Sequence, residues 1–266
     1  METRFGGIDT APAGLAEPNL ECAGQATEQA LVASAMLSLV GRLLVDEPSA
    51  KTIEPLLQRE LWDMPPYAAD DESVCEGFRL MRRWLESALP QGAQAAAEQL
   101  RAPWFRAFLG AGIPDAPPWQ TYYTDKESLL FAEETLEVRR CYRAYGLEAR
   151  NKNHEPDDHI GTMLVFLGHL ASIESALSDA VPLDVEALAR IRRDQADFLR
   201  RHVLTFVDVW MTNVATRVPN DFYQGVAHIA RGVARRRYAD LQNERFESSE
   251  APVDGIASKT TSDLVS

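Results

Sequence analysis

Residues 154–177 read HEPDDHIGTMLVFLGHLASIESAL. From Asp158 to Leu177 this is the most apolar stretch of the chain. Its Ile160, Met163, Leu164, Leu167, Leu170 and Ala171 recur at the three- and four-residue spacing of one helical face. Ahead of it, Pro156 fixes the entering backbone, and Asp157 or Asp158 supplies an N-cap carboxylate. The stretch therefore predicts a helix, Asp158 to Leu177, entered through a stiff acidic loop. The window Ile160 to Ile173 is too short to span a membrane and contains His169, so stable membrane insertion is not expected.

Helical periodicity continues on both sides. Upstream, Leu31, Ala35, Leu39 and Leu43 share a face of a helix from Thr27 to Val45, which Pro48 ends. Helices are expected at 52–62, stopped by Pro65 and Pro66, at 71–89 and at 91–101. A further helix from Lys126 to Tyr145 is closed by Gly146, a favourable C-cap residue. Downstream, helices are expected at 183–202, 203–216 and 219–241. No run alternates apolar and polar residues between turn signals, so no substantial sheet is expected. The fold class is all-α: a single-domain bundle of roughly nine to eleven helices. Its helical body covers 25–242, between flexible extensions at 1–24 and 243–266 that lack periodicity. Residues 102–125 interrupt it as a linker with four prolines, Pro103, Pro114, Pro117 and Pro118, and six aromatics.

The net charge is −13, from 27 basic and 40 acidic residues. The tails, 1–28 and 241–266, contribute −4 and −3 of this, which leaves −6 on the body. An acidic surface repels nucleic acid and anionic lipid and favours a basic peptide. Cys22, Cys75 and Cys141 are scattered and odd in number, which argues against disulfides and zinc and for a reducing compartment. The first 24 residues show no export signal, and a cytoplasmic location is expected.

Some stretches imitate enzyme motifs. Leu43–Ser49 resembles a Walker B end, but the chain has no GxxxxGK[ST] loop and no strand leads into the segment. His154 and His159 lie five apart with Pro156 between them, which does not fit the four-residue spacing of a helical zinc motif. Arg235, Arg236 and Arg237 read as a solvated helix end. No catalytic residue, metal or cofactor is assigned, and no enzymatic activity is expected.

Two segments carry a binding chemistry. APPWQTYYTD (116–125) offers aromatic faces in a proline-stiffened loop, and EPDDHIG (155–161) offers carboxylates and an imidazole. Carboxylates accept a guanidinium in two-pronged fashion, and aromatic faces take arginine and apolar side chains. The same residues equally make a helix cap and a set of core plugs.

Taken together, these segments resemble the TorD/DmsD family of chaperones for molybdenum redox enzymes. Glu155-Pro156-Asp157-Asp158-His159-Ile160-Gly161 is similar to that family's hallmark loop. Phe108–Gly110, Ala116–Trp119, Tyr123 and Asp125–Phe131 are similar to its DmsD-like branch. The likeness extends over roughly residues 27–240 and is sharp from 103 to 170. It implies a cytoplasmic chaperone, monomeric or dimeric, that binds the twin-arginine leader of a molybdoenzyme precursor until the enzyme is folded and holds its cofactor. The implied peptide-binding residues are Trp119, Tyr122, Tyr123, Glu155, Pro156, Asp157, Asp158 and His159. The alternatives are an assembly factor for a mature subunit, as in the related NarJ branch, and a nucleotide- or metal-dependent hydrolase.

Overall fold

A computed structural model describes residues 20–110, 112–124, 133–149 and 156–249, with side chains described from 27 to 243. His154 and Glu155 lie outside these residues, as do most of both expected extensions. The described residues form ten α-helices and no strand. These are α1 (Leu20–Val45), α2 (Ala50–Ile53), α3 (Glu72–Ala88), α4 (Gly92–Trp104), α5 (Gln120–Thr124), α6 (Glu133–Ala144), α7 (Ile160–Ser178), α8 (Val185–Arg201), α9 (Val207–Arg217) and α10 (Asp221–Ser249).

Several ends differ from expectation. Helix α1 begins ahead of Thr27, and α10 runs past 242, both through residues compatible with helix. The 52–62 helix is instead one α-helical turn followed by two 3₁₀ turns. Pro103 does not end α4. The helix passes through it and widens into a π turn, Phe105–Leu109, closed by Gly110 N–H donating to the Phe105 carbonyl at 2.6 Å. A missing N–H and a local change of helix type coincide there. Gly146 takes its expected role: at φ +70 it closes α6, and Leu147 N–H reaches back to the Tyr142 carbonyl at 3.0 Å.

Two helix pairs frame the molecule, and each is close because glycines meet. Helices α1 and α7 run antiparallel. Ser34 Oγ donates to the Gly168 carbonyl at 2.7 Å, and Ser175 Oγ to the Thr27 carbonyl at 3.3 Å. At their crossing, a Cβ on Gly41 would stand 2.6 Å from the Gly161 carbonyl oxygen, and a Cβ on Gly161 would stand 2.6 Å from that of Gly41. Helices α3 and α10 repeat this design, with a Cβ on Gly77 falling 2.8 Å from the Gly225 carbonyl. Helix α10 also packs on α1, α8 and α9, so one continuous core joins the two pairs. Phe108 packs edge-on against Tyr223 at 5.4 Å, and Trp84 against Phe222 at 4.7 Å. Each such buried ring contributes about 2–3 kcal/mol by area.

Among the described residues two segments, Thr27–Val45 and Ile160–Ser178, are long and apolar enough to cross a membrane. Here they pack on each other, and α7 is also covered by α8. The apolarity of α7 thus matches burial on more than one side, with Ile160, Met163, Leu164, Leu167 and Leu170 all inaccessible.

The arginine run is not a solvated end, because α10 continues to Ser249. Arg235 pairs with Asp208 on the surface, and Arg236 reaches Asp70 and Asp240. Arg237 is buried and bonds Glu174, which is also buried; Glu174 accepts further from Arg192 at 2.9 Å and Gln195 at 2.6 Å. Three helices, α7, α8 and α10, share that ion network.

Candidate functional site

The two chemically conspicuous segments meet. Gln120 N–H donates to the Asp158 carbonyl at 3.1 Å and Ile160 N–H to the Pro118 carbonyl at 2.8 Å, which makes an isolated antiparallel bridge between Trp119 and His159. The Trp119 and His159 rings stand edge-to-face at 6.4 Å. The prolines on both sides hold the chain extended, the conformation a short bridge needs.

The motif side chains turn inward. Asp157, Asp158 and His159 are 1%, 0% and 2% exposed. Asp158 is not the helix cap. Its carboxylate accepts Thr121 N–H at 2.8 Å and Thr135 Oγ–H at 3.1 Å, which ties α5 and α6 to the start of α7. Burial raises its pKa, while these bonds pull the other way. Asp157 receives Arg139 at 2.8 Å through Nε and at 2.6 Å through a terminal nitrogen, and its carbonyl accepts Tyr142 Oη–H at 3.0 Å. The cap of α7 is His159, whose Nδ1 accepts Gly161 N–H at 3.0 Å. That bond needs a neutral ring, and burial lowers the His159 pKa to about 3.

An exposed acidic lip is therefore not what Asp157 and Asp158 form in this state. Ile160, fully buried, draws the loop into the core, and Arg139 occupies from within the fork that an incoming arginine would need. The aromatics divide. Trp119 is half-buried at the bridge. Tyr122 and Tyr123 lie away from it, where Tyr123 stacks on Phe206 at 5.5 Å and its Oη accepts from Asn213 Nδ2 at 3.3 Å. Burial pushes the Tyr123 phenol up to about 12.

Beside the motif lies a cavity of about 440 Å³, between α1 and α7 and bordered by residues 147–149 and Pro156. Among the described residues, Pro156 is the one expected peptide-binding residue in its wall. Val45, Leu147, Val165 and Phe166 give it apolar faces; Ser38, Arg42, Asp46, Glu148 and His169 give it polar ones. Glu148 has Arg143 at 3.6 Å, an ion pair whose partners are both about half exposed. The volume falls within the range of ligand-holding clefts. The α1 contribution was absent from the expected site. Its signal is the small-residue row Ser34, Ser38 and Gly41 at helical spacing, which brings α1 close enough to α7 for both to line one cavity. Among the described residues no group of three or more His, Cys, Asp or Glu comes together as a metal site.

The model of the nitrate reductase delta subunit family matches residues 69–212, more than half of the chain, including the bridge and α7. The chain belongs to this family. Within it, the chain is 29% identical over 135 residues to the Tat proofreading chaperone DmsD of Salmonella typhimurium strain LT2, which covers 50% of this chain and 61% of that protein. It is 27% identical over 162 residues to the chaperone protein TorD of Vibrio cholerae O395, covering 61% of this chain and 70% of that one. The match thus spans about three-fifths of the length of the DmsD relative. The resemblance to TorD and DmsD drawn from the bridge segments holds, and so does the all-α fold.

Proposed function

We propose that this chain is a cytoplasmic, non-catalytic maturation chaperone that binds the twin-arginine leader of a molybdoenzyme precursor and holds it until the enzyme is complete. The observation that carries this reading is the cavity beside the motif, with apolar walls for the hydrophobic part of a leader and two carboxylates, Asp46 and Glu148, for its arginines. The relatives' names, proofreading chaperone and chaperone, support it. The roles within the motif change accordingly. Asp157, Asp158 and His159 fix the wall of the cavity through their internal bonds, and among the described residues of the motif Pro156 is the one that a peptide touches. Arg42 shares the wall, so the reading rests on the placement of the two carboxylates and not on bulk charge.

The test is calorimetric titration with a synthetic twin-arginine leader and with a copy whose arginines are lysines. Binding at micromolar affinity or tighter, weakened at least tenfold by the lysines and by Asp46→Lys, is the expected result, because lysine lacks the planar fork. A leader that binds the Asp46→Lys variant unchanged removes the cavity from the reading. No binding to any leader, with retained capture of a leaderless precursor, favours the mature-subunit assembly factor instead.

A further inference from the structure

On another face a second cleft, about 230 Å³, opens between the π turn and the α9–α10 connection. It shares no lining residue with the cavity beside the motif. Pro103 and Arg106 form one wall, and Arg217, Pro219 and Asn220 the other. Both walls are set by hydrogen bonds. Asp115 N–H donates to the Arg106 carbonyl at 3.1 Å, Asn220 N–H to the Val218 carbonyl at 2.8 Å, and Gln224 Nε2 to the same carbonyl at 2.9 Å.

The arginines here differ from most others in the chain. Arg83, Arg139, Arg192, Arg231, Arg235, Arg236 and Arg237 each hold a carboxylate. Among the described residues Arg106 and Arg217 form neither an ion pair nor a side-chain hydrogen bond, although Asp115 lines the same cleft. The cleft is therefore net positive in a protein whose net charge is −13.

We propose that this cleft binds a protein segment through an acidic side chain, its carboxylate held between Arg106 and Arg217. The volume is below the roughly 300–1,000 Å³ of small-molecule sites and suits a single side chain. Two guanidinium forks are matched to carboxylate geometry. The proposal stands apart from leader binding, because the two sites differ in charge and in lining.

The test titrates the full chain by calorimetry with an acetylated decapeptide centred on Leu-Asp-Glu-Phe, and with its Leu-Asn-Gln-Phe counterpart. Saturable binding is expected, weakened at least tenfold in Arg106→Glu and in Arg217→Glu, at least tenfold weaker for the amide peptide, and unchanged in Asp46→Lys. Both arginines are exposed, and circular dichroism checks that the variants keep their helicity. Absence of saturable binding overturns the proposal, as does equal binding by Arg217→Glu. Displacement of the peptide by an equal concentration of inorganic phosphate also overturns it, since the cleft would then take a free oxyanion.

Discussion

Four carboxylates near α7 fall into two regions of opposite character. Asp157 and Asp158 sit in the most conspicuous motif of the sequence, yet they are sealed inside and bonded to Arg139, Thr121 and Thr135. Asp46 and Glu148 lie outside that motif and line a cavity. The first pair joins α6 and the linker's α5 to the start of α7; the second faces the cavity. Under the proposed function the motif fixes the wall of the binding site and other residues face the ligand.

The sharpest way to break this comparison lies one helical stretch further on. Glu174→Ala leaves the Arg237 guanidinium buried without its anion and is expected to cost about 3–5 kcal/mol in urea unfolding. A loss below about 1 kcal/mol would mean that water reaches this interior, and the sealed character argued for Asp158 would weaken with it.

The acid limb of stability comes next. The folded pKa of His159 lies below its unfolded value, so between about pH 3 and 6.5 the unfolded chain binds the extra proton, and stability falls as pH falls through that window. At pH 5 this is about 2 kcal/mol relative to pH 8, counting 1.36 kcal/mol per unit. His202, lowered to about 4 chiefly by burial, acts in the same direction. Asp158 acts in the opposite direction, because its raised pKa lets the folded state hold a proton that the unfolded state has released. His159→Asn keeps a capping acceptor without titrating and should flatten the limb. An unchanged pH profile would remove the neutral His159 cap.

Smaller effects separate the regions directly. Asp158→Asn retains an oxygen for Thr121 N–H and should cost about 1 kcal/mol while leaving leader affinity within threefold. Asp46→Lys should cost less in unfolding than Glu174→Ala, yet reduce leader affinity at least tenfold. The reverse pattern would return the binding role to the motif.

Much of the fold was legible because its signals are local. The apolar stripe of α7, the glycine at 146 and the prolines near 117 act within a few residues of themselves. The burial of Asp157 was not legible, since it depends on Arg139 arriving from another helix. Arg237 shows the same limit. A run of three arginines looks solvated until Glu174, distant in sequence, is known to face one of them. The cap was misplaced by one or two residues because aspartate and histidine can both accept the same amide. The cavity was missed because its α1 wall consists of small residues whose only message is that something comes close.

The glycine crossings also bear on how the chain comes to be folded. Ser34 meets Gly168 across 134 residues, and Ser73 meets His228 across 155, so each frame pair unites an early helix with a late one. Neither half of the described chain contains a complete core. During synthesis α1 and α3 must wait, apolar faces uncovered, until α7 and α10 have been made. High contact order of this kind slows folding and exposes the nascent chain to aggregation. A protein proposed to shelter unfinished enzymes would therefore pass through an unfinished state of its own, and cutting the chain near its middle should yield two fragments that fold only together.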